Sequence, residues 1–223
     1  MSEENTGKEN FSVLKTMGIL SKRDLSQVLS NLKAWENQKV REEQYPTPVE
    51  IAADWLWGAV HHGDIRNRTI LDAGCGNGIL GIGALLLGAK KVFFVDIDTD
   101  SIKICQENYE KVRVEWAIGR AEFLHTGIEL FDQPVDVVLQ NPPFGTKEEH
   151  ADKRFLEKAF SLAKTVYSMH KVSTKRFVEA IAKDNSFKIT DVWKYAFPIK
   201  AAFFFHRKPV FSVDIGLWRM EKI

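Results

Sequence analysis

A glycine-rich turn between two apolar segments most constrains what this chain can fold into. The turn reads Asp72-Ala73-Gly74-Cys75-Gly76-Asn77-Gly78, between a predicted strand at 69–73 and a predicted helix at 79–87. Glycines let a backbone turn tightly and approach a ligand closely. The start of the following helix adds free N–H groups and the positive end of the helix dipole. The turn therefore predicts an α/β fold with a ligand site where the strand ends.

The rest of the chain alternates strand and helix patterns. One helix is predicted to begin at Ser21, with its apolar face ending at Trp35, and another to be capped by Asp98 or Thr99. The helices are predicted at 50–60, 79–87, 98–109, 152–164 and 174–184, and the further strands at 91–95, 114–118, 135–140, 166–168, 189–196 and 210–220. This alternation predicts a mostly parallel sheet with helices on both faces. The last two strands have no helix between them, which predicts an antiparallel edge pair.

Composition excludes several classes of protein. The 223 residues are 44% hydrophobic and 27% charged, as in ordinary globular proteins. The longest nearly apolar run, 79–89, is far shorter than the roughly 20 residues of a membrane span, and the start MSEENTGKEN lacks the pattern of a signal peptide. Two cysteines, Cys75 and Cys105, favour a reducing, cytoplasmic location. His61 and His62 lack the partner spacing of a metal site, so no metal is predicted.

Charge is distributed unevenly along the chain. The net charge is +1 overall, but −6 over residues 1–146 and +7 over residues 147–223. The basic C-terminal third suits a polyanion such as nucleic acid, although uneven scatter of surface charges gives the same pattern. The domain boundaries are predicted as a flexible leader at 1–20, an N-terminal helix and covering loop at 21–48, and one domain at 49–223.

A second motif, Asn141-Pro142-Pro143-Phe144, follows the predicted strand at 135–140. Ligands of open α/β sheets bind beyond the carboxyl ends of strands, so this motif should lie beside the glycine-rich turn. The Asn141 side-chain oxygen and the Pro142 carbonyl can accept both N–H bonds of a planar exocyclic amine, which directs its lone pair outward. Pro143 restricts the turn, and Phe144 can stack on a flat base. A rigid turn of purely structural role is the alternative.

The residues of the glycine-rich turn bear on two other functions, nicotinamide binding and nucleophilic catalysis. A nicotinamide-binding turn needs glycine at the position that Ile79 occupies, so that class is disfavoured. Cys75 is expected to be a small packing residue rather than a nucleophile. Asp96 ends the next predicted strand, where a carboxylate suits the hydroxyls of a ribose.

The D-x-G-x-G-x-G turn resembles motif I of the S-adenosylmethionine (SAM) methyltransferases, and the whole chain resembles the methyltransferase-like protein 5 family. The resemblance covers roughly residues 22–220. It rests on the two motifs above and on 43–47, 96–98, 145–147, 166–171 and 205–206. It implies SAM as cofactor and a Rossmann-like class I fold: a seven-stranded, mostly parallel sheet with an antiparallel C-terminal edge strand. It also implies methylation of adenosine N6 in small-subunit ribosomal RNA.

The resemblance also implies the site residues. Those expected at the cofactor are Gln44, Tyr45, Thr47, Asp72, Gly74, Gly76, Asn77, Gly78, Asp96, Ile97 and Glu122. Arg120 occupies the position where the family carries an acidic residue near the SAM adenine, so either Glu122 substitutes for that residue or apolar contacts and backbone hold the adenine. Asn141, Pro142, Pro143 and Phe144 are expected to hold the amine. Apart from the resemblance, a set of basic residues lies in loops near the motifs or the C-terminus and suits RNA phosphates, although a solvated face accounts for each one equally well: Lys147, Lys171, Lys175, Arg207 and Lys208. His170 is expected with them, and a structural hydrogen bond is its alternative role.

Two other functions fit the same motifs. The acceptor could be a protein glutamine amide, as in release-factor methylation, although only about 45 residues precede the core. The chain could also be a catalytically silent SAM-fold module. The family's eukaryotic members work with a small zinc-binding activator subunit, so such a partner is expected here, with structured RNA as substrate.

Overall fold

The computed structural model describes residues 21–34, 46–143, 151–200 and 210–223. These residues form one seven-stranded sheet with the order β3-β2-β1-β4-β5-β7-β6. The strands are β1 Thr69–Ala73, β2 Lys91–Asp96, β3 Arg120–His125, β4 Val137–Gln140, β5 Thr165–Lys171, β6 Phe187–Lys200 and β7 Val210–Lys222. The helices are α1 Lys22–Ser30, α2 Val49–His61, α3 Ile79–Leu86, α4 Thr99–Glu115, α5 Ala151–Leu162 and α6 Lys175–Asp184.

The strand order places the two sequence motifs side by side. Strands β1 to β5 are parallel, and the chain leaves β1 toward β2 on one side and reaches β4 on the other. Ala73, the last residue of β1, is in register with Gln140, the last residue of β4. Adjacent strands lie about 4.8 Å apart, so the glycine-rich turn and Asn141 begin at neighbouring points of the same sheet edge. This is the switch in strand order where open α/β sheets bind ligands.

Two apolar clusters, one on each face, hold the sheet between its helices. Helices α1 to α4 pack on one face, with Trp55, Leu56 and Ile82 fully buried. Helices α5 and α6 pack on the other face, around Leu156 and Trp218. All eight residues of α3 are buried, so this helix behaves as part of the core and carries the glycine-rich turn on a rigid support.

The predicted fold class is confirmed, and β7 adds a detail to it. Strand β7 is the antiparallel strand, and it pairs with β5 on one side and β6 on the other. The outermost strand on this side of the sheet is therefore β6 and not the C-terminal strand β7. The two predicted caps are also present: the Ser21 hydroxyl accepts from the Asp24 N–H at 3.2 Å, and the Asp98 carboxylate accepts from the Asp100 N–H.

The strand predicted at 114–118 is wrong. Helix α4 runs on to Glu115, and β3 begins only at Arg120. Ile102, Cys105 and Val112 continue one buried helical face through this segment, while Val114 is 84% exposed. Burial of that face outweighs the strand preference of the β-branched residues. No helix among the described residues combines the length and the hydropathy of a membrane span.

Candidate active site

The glycine-rich loop at 74–78 is fastened to the end of β2. The N–H groups of Gly74 and Cys75 donate to the carbonyl of Val95 at 2.8 and 3.0 Å. The Gly76 N–H donates to the Asp96 carboxylate at 2.8 Å. Gly74, Gly76 and Gly78 all have positive φ, between 55° and 83°, which is the region where glycine is strongly favoured. The loop geometry follows directly from its glycine spacing.

Asp96 presents a carboxylate at the carboxyl end of β2. One oxygen accepts from the Gly76 N–H and the other from the Asp98 N–H at 2.9 Å. Burial raises the pKa of Asp96, and the two backbone N–H groups oppose that shift. The next residue, Ile97, is 75% exposed and offers an apolar surface beside this carboxylate. A carboxylate flanked by an apolar surface fits a ribose and its attached base.

Asp72 lies beneath the loop. Its side chain is 1% exposed, and one carboxylate oxygen accepts from the Gly81 N–H of α3 at 2.8 Å. Burial raises the pKa of Asp72 to about 8, with the nearby Asp96 charge adding to the shift. The structure therefore places Asp72 as a link between β1 and α3, on which the loop is supported.

Two asparagine side chains hold the segment that follows α1 against the loop. Asn108 of α4 is 1% exposed, and its amide donates to the carbonyls of both Lys33 and Asn77. The Lys33 N–H donates back to the Asn108 oxygen at 2.7 Å, and the Asn77 side chain donates to the Lys33 carbonyl. Sequence reasoning missed Asn108, which is a polar residue on the buried face of α4.

The Asn141 side chain is oriented by Thr47, a residue 94 positions earlier in the sequence. Its side-chain nitrogen donates to the Thr47 hydroxyl at 3.1 Å. Thr47 is 6% exposed and lies just before α2, so the contact is held inside the fold. The amide nitrogen can only donate, so the side-chain oxygen, which is buried in this structure, is the accepting atom of Asn141. Pro142 is buried and Pro143 is half-buried.

The predicted cofactor residues divide by exposure. Gly74, Gly76, Asp96 and Ile97 present surface at the sheet edge, whereas Asp72, Asn77 and Gly78 lie beneath it. Glu122 is not brought to the edge. It lies within β3, in register with Phe93, and forms a 2.7 Å ion pair with Lys91 at the start of β2. His125 occupies the end of β3 instead.

The predicted RNA-contacting residues also separate. Lys171 is the last residue of β5 and Lys175 begins α6, so both lie beyond the carboxyl ends of the parallel strands, as Asn141 does. His170 is 2% exposed, so the prediction that it contacts RNA is wrong: its ring is enclosed by Ser168, Asp152 and Trp218. Gln44, Tyr45, Phe144, Lys147, Arg207 and Lys208 lie outside the described residues. The described residues contain no group of three potential metal-ligating side chains.

The two cysteines lie behind the loop. Cys75 is 5% exposed and Cys105 is fully buried, and burial raises the pKa of both thiols. A Cβ added to Gly78 would lie 2.4 Å from the Cys105 sulfur, so these thiols fill the space under the turn. This packing position agrees with the expectation for Cys75.

Comparisons with known proteins agree with this geometry. The family model of ribosomal protein L11 methyltransferase matches residues 50–142. MJ0284 of Methanocaldococcus jannaschii is 35% identical over 92% of this chain and 96% of its own length. The rRNA N(6)-adenosine-methyltransferase Mettl5 of Drosophila melanogaster is 34% identical over 92% of this chain and 98% of its own length.

A solved structure is similar to this chain over almost its whole length. PH1948 from Pyrococcus horikoshii, described as a candidate RNA methyltransferase, is 36% identical, with a TM-score of 0.83 over 92% of this chain and 99% of that one. A full-length match at this identity is enough to assign a family. The chain belongs to the methyltransferase-like protein 5 family of SAM-dependent methyltransferases.

Proposed function

We propose that this chain transfers a methyl group from SAM to N6 of an adenosine in small-subunit ribosomal RNA. One observation carries the proposal: the Asn141 amide is held by Thr47 directly beside the glycine-rich loop. This arrangement supports a role for Asn141 as the acceptor of an exocyclic amine next to the cofactor loop. The names of the fly and zebrafish relatives support RNA as the substrate.

The described residues fit SAM. The exposed backbone of Gly74 and Gly76 leaves room for the methionine part, and Asp96 would accept hydrogen bonds from the ribose hydroxyls. Ile97 would cover one face of the adenine ring. When bound, the cofactor supplies an electrophilic methyl group on its sulfonium. Gln44 and Tyr45 complete the proposed cofactor residues.

Asn141 and Pro142 would act on the acceptor. The nitrogen of an adenine amino group is a poor nucleophile because its lone pair is delocalised into the ring. Hydrogen bonds from this amine to the Asn141 oxygen and the Pro142 carbonyl direct the lone pair toward the methyl group. The same oxygens stabilise the positive charge that develops on nitrogen during transfer. The methylated amine is acidic enough to lose its proton to water, so no strong general base is needed.

Lysines near the same edge would hold the RNA backbone. Lys171 and Lys175 are described there, and Lys147, Arg207 and Lys208 complete the proposed set. Phosphate contacts fix the position of the RNA, and contacts to the extruded base provide the specificity.

A small zinc-binding activator subunit and a cytoplasmic location are parts of the proposal. Ribosomal RNA as substrate supports the location.

The decisive experiment is methyl transfer from radiolabelled SAM with Asn141→Ala. The acceptors are small-subunit ribosomal RNA and, separately, release-factor protein, each with and without the activator. We expect wild type to label RNA as N6-methyladenosine, and Asn141→Ala to lower kcat at least ~100-fold, the scale seen when one oriented donor or acceptor is lost. The Kd for SAM should stay within about twofold, because Asn141 lies outside the cofactor loop.

Asn185→Ala is the matched control. Asn185 is a half-buried asparagine that caps α6 through a hydrogen bond to Ile181, far from the loop. It should cost stability without lowering kcat. Label recovered in protein instead of RNA would replace the substrate with a glutamine amide, and near-normal turnover of Asn141→Ala would refute the role of Asn141.

A further inference from the structure

A buried string of polar side chains runs beneath the Asn141 motif. The Gln140 amide nitrogen donates to the Ser168 hydroxyl at 2.9 Å, and that hydroxyl contacts His170 Nε2 at 2.7 Å. His170 Nδ1 faces the Asp152 carboxylate at 3.8 Å. Gln140 and Ser168 are fully buried, and His170 is 2% exposed. The string thus crosses from β4 through β5 to the first turn of α5.

The chemistry of the donors fixes the direction of these bonds. An amide nitrogen can only donate, so Ser168 accepts from Gln140 and gives its own hydrogen to His170 Nε2. The remaining ring proton is then on Nδ1, which faces Asp152. Burial lowers the pKa of His170 despite the opposing effect of Asp152, so the neutral ring that this direction requires is favoured. Hydrogen bonds therefore connect Gln140, Ser168 and His170 in one direction, and the Asp152 carboxylate lies 3.8 Å from the Nδ1 at the end of the string.

The position of the string links it to the site. Gln140 directly precedes Asn141, and Asp152 lies in the first turn of the helix that follows the motif. Gln140 ends β4 and Asn141 follows it, so hydrogen bonds hold two adjacent residues: the Ser168 hydroxyl accepts from Gln140 and the Thr47 hydroxyl accepts from Asn141. The string reaches both chain segments that flank the amine-binding residues.

Stability alone does not account for these polar residues. Their neighbours on the same face of the sheet, Val138, Val166 and Trp218, are apolar. The Gln140 side-chain oxygen is buried with no hydrogen-bond partner among the described residues, which is unfavourable because the oxygen loses its hydration without a replacement. An apolar side chain at position 140 would avoid that cost.

We propose that Gln140, Ser168 and His170 are positioning residues, which hold the backbone of Asn141 and the start of α5 so that the oxygens of Asn141 and Pro142 meet the substrate amine. This inference rests on the proposed function. A shift of about 1 Å at a reacting centre can cost ~100-fold in rate, so a small movement of this support is enough to matter. The three residues act through Asn141 and touch no reacting atom.

The test compares Gln140→Met, Ser168→Ala and the double variant of the full chain. Gln140→Met removes the orphaned oxygen, so we expect an unchanged or higher Tm together with a kcat at least ~10-fold lower. The Kd for SAM and the KM for RNA should stay within about twofold. Because both residues belong to one string, the double variant should lose no more kcat than the worse single variant.

Tyr167→Phe is the control on the same strand. It removes a buried hydroxyl that faces away from the motif, where it bonds Asp64 and Arg219. It should lower Tm and leave kcat unchanged. If wild type methylates RNA and Gln140→Met keeps wild-type kcat, or if the two losses multiply, the positioning role is refuted. If wild type labels no RNA under any condition, the proposed function itself fails.

Discussion

Two aspartates at neighbouring strand ends have different surroundings. Asp72 receives one backbone hydrogen bond in the core, whereas Asp96 receives two at the edge of the sheet. Burial penalises a charged carboxylate, and hydrogen bonds to it compensate. Asp72, buried and bonded to α3, is therefore suited to support the loop. Asp96, which is partly exposed and better compensated by hydrogen bonds, is suited to meet a ligand as a carboxylate.

The raised pKa of Asp72 makes stability depend on pH. The carboxyl has a pKa of about 8 in the folded chain against an ordinary value of 3.8. Between these values the folded state retains a proton that the unfolded chain has released, so the free energy of unfolding falls as pH rises. We expect Asp72→Asn, which stays neutral, to lose Tm less steeply from pH 5 to 8. Equal slopes for the two proteins would contradict this assignment.

Asp96→Ala should act on cofactor binding. Hydrogen bonds to a charged group contribute about 1.5–3 kcal/mol each, so we expect the Kd for SAM to rise at least ~10-fold by calorimetry. Asp184→Ala, an exposed aspartate at the end of α6, is the control and should leave the Kd unchanged. An unaltered Kd for Asp96→Ala would remove Asp96 from the proposed ribose contact.

At this scale the sequence predicts residue types better than side-chain directions. Asn141 was predicted because it belongs to a motif with a clear chemistry. Gln140, one position earlier, was missed, and His170 was predicted to contact RNA although it is buried. Side chains alternate between the two faces of a sheet along a strand, so Gln140 shares a face with the apolar Val138. Which residues share a face with the core is known only once the ends of the strand are fixed.

Among the elements, α3 shows how close packing holds the cofactor loop. A Cβ added to Gly81 would lie 2.3 Å from the Phe94 ring and 2.9 Å from the Asp72 carboxylate. Helix α3 can therefore approach β2 only with glycine at this position. The same contact brings the Gly81 N–H to Asp72.

Gly81→Ala should push α3 away from the sheet. We expect a loss of about 1–3 kcal/mol in the free energy of unfolding by urea titration, the usual cost of overpacking. Gly58→Ala in α2 is the matched control, since its nearest atom is 3.8 Å away on Trp193. That variant should gain up to ~1 kcal/mol from helix propensity. Equal effects of the two changes would argue against tight packing at Gly81.

Element prediction succeeded where strong local signals exist. The glycine-rich turn separates β1 from α3, and Pro142 ends β4. The prediction failed at β3 because the buried face of α4 continues past Tyr109 without a glycine or proline to end it. The position of β7 between β5 and β6 is a matter of long-range pairing, which no local pattern determines.

Across the whole molecule, charge should govern RNA binding. We expect Lys175→Glu to weaken RNA binding several-fold and to reduce the slope of log affinity against log salt by about 1, as when one phosphate contact is lost. Lys103→Glu makes the same charge change on α4, toward the opposite end of the sheet, and should have little effect. Equal losses would mean that net charge alone attracts the RNA.

The two thiols under the glycine-rich loop provide a way to measure how often the loop opens. They are the only cysteines in the chain, and neither is accessible while the loop is seated on α4. A thiol-reactive dye can therefore label the native protein only when the loop opens locally. The rate of labelling measures how often the loop opens. Ligands that occupy the loop should slow this labelling, so binding can be followed in the unmodified sequence without any methyl acceptor.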